Sequence, residues 1–65
     1  MTMKWEFDNR KFVAEREPSN NSLFIMEEYK DELYLLGYCE DGKYDLYELA
    51  NLCNAWPKQY VRGEQ

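Results

Sequence analysis

Sixty-five residues with a formal charge of −5 and no histidine make one domain at most, with a thin core worth roughly 3–5 kcal/mol of net stability. Hydrophobic residues at 45% and aromatics at 17% carry too much large apolar surface for a disordered tail. The lack of histidine removes the commonest general base and metal ligand, and leaves every serine and cysteine without its usual activator.

Met3, Trp5 and Phe7 alternate with Lys4, Glu6 and Asp8, the period-two pattern of a strand with one buried face. Asp8-Asn9 tolerates positive φ and predicts a hairpin into a second strand over Lys11 to Glu17, with Phe12 and Ala14 on one face and Val13 on the other. Pro18 removes a ladder donor, and Ser19-Asn20-Asn21-Ser22 continues as a polar loop. Asn20-Asn21-Ser22 also fits the glycosylation acceptor pattern; without a secretion signal it reads as a turn.

Leu23 to Lys30 reads as a third strand, with Leu23, Ile25, Glu27 and Tyr29 on one face and Phe24, Met26, Glu28 and Lys30 on the other. A short Lys30-Asp31-Glu32 connection leads to Leu33 through Cys39. Strict alternation along this fourth strand turns Leu33, Leu35, Gly37 and Cys39 toward the core and Tyr34, Leu36 and Tyr38 outward.

Glu40-Asp41-Gly42-Lys43 has the chemistry of a turn. Asp45 and Glu48 then form a capping box, and Leu46, Leu49, Ala50, Cys53 and Trp56 recur at helical spacing as one apolar stripe, with Leu52 at its margin. Tyr44 to Leu49 can also be read with period two, but alternation fails beyond Leu49 while the stripe persists. Pro57 is the expected stop. In the polar tail Tyr60 and Val61 are the residues suited to fasten it, and residues 62–65 are expected to fray. The fold class is therefore α+β: a small antiparallel meander of three to four strands, with one C-terminal amphipathic helix packed on one face and residues 1–65 forming a single domain.

Charge is concentrated in the middle. From Leu23 to Glu48 eight acids stand against Lys30 and Lys43, a net of −6. Such a surface disfavours phosphate backbones and anionic lipid and favours a basic protein partner. Lys30 to Leu33 spells an endoplasmic-reticulum retention signal, but at an internal position where it cannot act, and no long apolar run is present, so the expected compartment is the cytoplasm. Cys39 and Cys53 lie fourteen positions apart, which matches neither a zinc motif nor a redox pair, and free thiols are expected.

Paired carboxylates such as Glu27-Glu28 and Asp31-Glu32 lack the cleft that a glycosidase needs. Asp41-Gly42-Lys43-Tyr44-Asp45 lacks the oxygen run of a calcium loop. No catalytic residue, metal or cofactor is assigned. Six tyrosines in 65 residues exceed what a core of this size can bury, and they suit an interface. Aromatic sheet faces also stack single-stranded nucleic acid, but such platforms need basic surroundings, so direct nucleic-acid binding is not expected.

The candidate surface therefore comprises Glu27, Glu28, Asp31, Glu32, Glu40 and Asp41 as carboxylates offered to lysine or arginine, with Tyr34 and Tyr38 as anchors. Small size, acidity and the absence of catalytic chemistry resemble, in type, the phage-borne inhibitors of defence or repair enzymes, such as anti-CRISPR proteins and uracil-DNA glycosylase inhibitors. That resemblance implies a non-enzymatic inhibitor that occupies the basic site of a nucleic-acid-binding enzyme or complex, and it carries over no individual residue. The alternative is a homodimeric structural or regulatory protein pairing through an exposed sheet face or edge strand.

Overall fold

A computed structural model describes residues 2–57, so the expectations for Tyr60, Val61 and the frayed end lie outside the described residues. Four strands, β1 (Thr2–Phe7), β2 (Arg10–Glu17), β3 (Ser22–Tyr29) and β4 (Glu32–Cys39), precede one helix, α1 (Leu46–Leu52). The strands pair antiparallel in chain order, β1-β2-β3-β4. The expected meander with a C-terminal helix is what forms.

Turn chemistry sets the meander. Asp8 and Asn9, with φ of 60° and 63°, close the first hairpin, and Lys30 and Asp31, with φ of 52° and 64°, close the third. Positive φ at both central residues matches the right-handed twist of the flanking strands. The middle hairpin turns through Pro18 to Asn21, where Asn21 (φ 59°) donates its N–H to the Glu17 carbonyl at 2.8 Å.

Register then sorts the side chains. Met3 pairs with Ala14, Trp5 with Phe12, Phe12 with Glu27 and Ala14 with Ile25. Paired residues share a face, so Trp5, Phe7, Phe12, Ala14, Leu23 and Ile25 line one side of the sheet. The helix covers it: Phe12, Ala14, Leu23, Ile25, Cys39, Leu49, Ala50 and Ala55 form the buried cluster.

α1 begins as its sequence dictates. The Asp45 carboxylate accepts from the Glu48 N–H at 2.8 Å, and the Glu48 carboxylate accepts from the Asp45 N–H at 3.1 Å. Its end departs from expectation. Asn54 adopts φ 60°; its N–H bonds the Asn51 carbonyl at 3.0 Å, and the Ala55 N–H bonds the Ala50 carbonyl at 2.7 Å. This left-handed cap closes the helix before Pro57 can act. Trp56 consequently lies beyond the helix, edge-on to Trp5 at 6.3 Å and tilted against Tyr47 at 4.8 Å. The Trp5 indole N–H donates to the Ala55 carbonyl at 2.8 Å, tying the chain after the helix to β1. Both cysteines are free.

One correction matters for function. Ile25 pairs with Gly37 but Met26 pairs with Leu35, so Leu36 is an extra residue, a β-bulge on β4. One inserted residue inverts the alternation on its far side. Gly37 and Cys39 face the helix as expected. Leu33 and Leu35 do not: they share the opposite, uncovered face with Glu28 and Met26. The expected outward row of Tyr34, Leu36 and Tyr38 is broken as well. Tyr34 shares the helix-side face with Glu27, Leu36 packs against the core, and only Tyr38 looks out, beside Phe24.

Candidate protein-binding surface

β4 is the last strand of the sheet, and its outer edge carries no further strand among the described residues. Its first four residues, Glu32 to Leu35, are all exposed, on both faces of the sheet. Leu33 keeps 55% of its surface, Leu35 59% and Tyr38 54% on the open face, while Tyr34 keeps 48% on the helix side. Phe24 and Met26 flank them half-buried on β3, and the Phe24 and Tyr38 rings stack at 5.7 Å. Scattered exposed leucines are ordinary; a contiguous group on one strand is not.

The candidate acids divide by position. Glu27 is already engaged: Arg10 reaches it with two hydrogen bonds, Nη2 to Oε1 at 2.8 Å and Nε to Oε2 at 2.9 Å. Those bonds favour the ionised form and hold the Glu27 carboxyl below its ordinary range. The same Arg10 guanidinium lies 5.0 Å from the centre of the Phe12 ring, so the pair seals the edge of the core. Glu28 lies on the open face opposite Leu33, and Asp31 occupies the β3–β4 turn. Glu32 opens β4 and accepts a hydrogen bond from the Tyr34 hydroxyl at 2.9 Å, which pushes the phenol pKa up.

Glu40 and Asp41 sit at the far end of β4, in a turn closed by the Lys43 N–H to the Glu40 carbonyl at 3.0 Å. Asp41 and Gly42 both adopt positive φ there. The Gly42 N–H bonds the Asn21 carbonyl at 3.2 Å, docking this turn on the β2–β3 loop, and a Cβ on Gly42 would stand 2.5 Å from the Asn21 side-chain nitrogen. Beside the turn Tyr38, Glu40, Asp41, Lys43 and Tyr44 line a shallow depression of about 410 Å³.

The eight residues of β4 span about 26 Å. Asp31 and Glu32 therefore mark one end of a strand and Glu40 and Asp41 the other. Between them, Leu33 to Cys39 carries no charge. The structure thus brings Glu28, Asp31, Glu32 and Tyr34 together around the β3–β4 turn, places Tyr38, Glu40 and Asp41 together at the far end, and withdraws Glu27. Leu33, Leu35, Phe24 and Met26 join the surface although alternation alone assigned the two leucines of β4 to the core. Among the described residues no helix is long and apolar enough to cross a membrane.

The fold and surface define a small α+β protein with one sheet face covered by a helix and one left open. No family model matches the chain, and neither a curated protein nor a solved structure matches it.

Proposed function

We propose that this chain is a non-enzymatic protein-binding module that acts in the cytoplasm, seating β4 and its acidic ends on a basic site of a partner protein. The observation that carries the reading is the uncharged stretch Leu33 to Tyr38, exposed at Leu33, Tyr34, Leu35 and Tyr38 and framed by Asp31 and Glu32 on one side and Glu40 and Asp41 on the other. Apolar centres with polar rims are the usual anatomy of a protein interface. Carboxylates at both ends favour lysine and arginine opposite them, and they repel phosphate, so the partner is a protein rather than a nucleic acid or an anionic membrane. A basic site of that kind is common on nucleic-acid-binding enzymes and complexes, and occupying it makes this chain an inhibitor of the phage anti-defence, nucleic-acid-mimic type.

Capture from extracts of the native host at increasing salt tests this. A basic partner retained at low ionic strength and released progressively as salt rises is the expected result. Retention unchanged by salt contradicts it.

A further inference from the structure

We propose that the partner contributes an extended segment which pairs with the outer edge of β4 over Glu32 to Leu35 as a fifth strand, with apolar residues at its centre and basic residues at its ends. This rests on the protein-binding reading above and specifies its mode.

The two sheet edges differ. β1 presents Lys4 and Glu6 at alternate positions, the charged pattern with which natural sheets block an edge. β4 has no charge and no proline from Leu33 to Cys39. Its bulge at Leu36 interrupts the second half of the edge, but Glu32 to Leu35 is regular.

Exposure on both faces selects strand addition over face docking. A helix laid on the open face covers Leu33 and Leu35 and leaves Tyr34 untouched. A strand alongside β4 reaches Leu33 and Leu35 on one side and Tyr34 on the other, while its backbone satisfies the outward N–H and C=O groups of the edge.

Charge selects a foreign strand over a second copy. Two copies meeting edge to edge over Glu32 to Leu35 juxtapose two segments that each carry a net charge of −6 between Leu23 and Glu48, with acids at both ends of β4. A segment with basic ends neutralises both.

The probe is a blocked peptide of about nine residues, valine and threonine alternating between terminal Arg-Lys pairs, offered to the full chain and followed by amide hydrogen exchange. Two controls are a peptide of the same charge designed as an amphipathic helix, and the extended peptide N-methylated along one edge. The expected result is that the extended peptide binds and slows exchange at alternate amides of Glu32 to Leu35. Binding should fall about tenfold or more with N-methylation of the pairing edge or in high salt.

Preference for the helical peptide overturns strand addition and leaves the protein-binding reading standing. Equal binding by the N-methylated peptide, or no binding by the extended one, also overturns it. So does a dimer in the absence of peptide with the same β4 amides protected, because the edge then belongs to a second copy. Failure of host capture to yield any salt-sensitive partner instead removes the reading on which the proposal rests.

Discussion

The sulfur of Cys53 lies 2.8 Å from the point where a Cβ on Gly37 would stand. The end of α1 is thus seated directly on the backbone of β4, at the first helix-facing residue after the bulge. Glycine in a strand ordinarily weakens it, by roughly 0.5–1 kcal/mol relative to alanine. Here that cost is outweighed, since overpacking a closed contact costs about 1–3 kcal/mol. Gly37→Ala is therefore expected to destabilise by about 1 kcal/mol net, measured by urea unfolding, and Cys53→Ala in the same chain should restore most of the loss. A Gly37→Ala protein as stable as the parent would show that the helix end does not bear on β4.

The bulge turns Leu35 away from the core in which Leu49 of α1 is buried. Leu49 is 4% exposed and Leu35 59%. Leu49→Ala should cost about 2–5 kcal/mol, whereas Leu35→Thr should stay within about 0.5 kcal/mol of the parent. A large loss from Leu35→Thr would return Leu35 to the core and remove the open apolar face.

Much of this fold is legible in the sequence. The hairpin at Asp8-Asn9, the faces of β2 and β3, the Asp-Gly turn and the capping box at Asp45 and Glu48 all follow from local chemistry that the tertiary structure leaves unaltered. β4 does not follow, because period-two reading presumes that every residue of a strand is paired. Its available signal was Gly37, an isolated glycine in a strand pattern, which marks bulges and close backbone approach. The helix end had a comparable signal in Asn54, a residue that accepts the left-handed region and so ends a helix before a proline is reached.

The same inversion governs how much of the candidate surface could be read. Charge along the chain locates the acids but not their neighbours: only the register of β2 and β3 brings Arg10 within reach of Glu27. Tyr34 and Tyr38 are four positions apart, and alternation places them on one face; the bulge separates them.

The Arg10–Glu27 pair gives a pH signature. The Glu27 carboxyl is held low in the folded state by its bonds to Arg10, so its contribution to stability is fully present above the unfolded-state pKa and is lost as pH falls through the folded one. Glu27→Gln should be less stable than the parent at neutral pH, and the two should converge as pH drops below the ordinary carboxyl value of 4.5. A constant gap between the two stability curves down to strong acid would count against the pairing.

Trp5 tests the closure after the helix. Trp5→Phe keeps an aromatic ring on the helix-side face and removes the N–H that bonds the Ala55 carbonyl. A loss of about 1–3 kcal/mol is expected, because the Ala55 carbonyl is left without its donor in a residue with no exposed surface. Unchanged thermal stability would mean that the indole bond does not hold the segment in solution.

The most direct measurement captures partners from host extracts with the parent chain and with a folded Leu33→Thr/Leu35→Thr variant, side by side and quantified. β4 as the binding strand predicts a basic protein held by the parent and released by salt, and its loss from the variant while the acids remain in place. Recovery of the same proteins in the same amounts by both chains would contradict it.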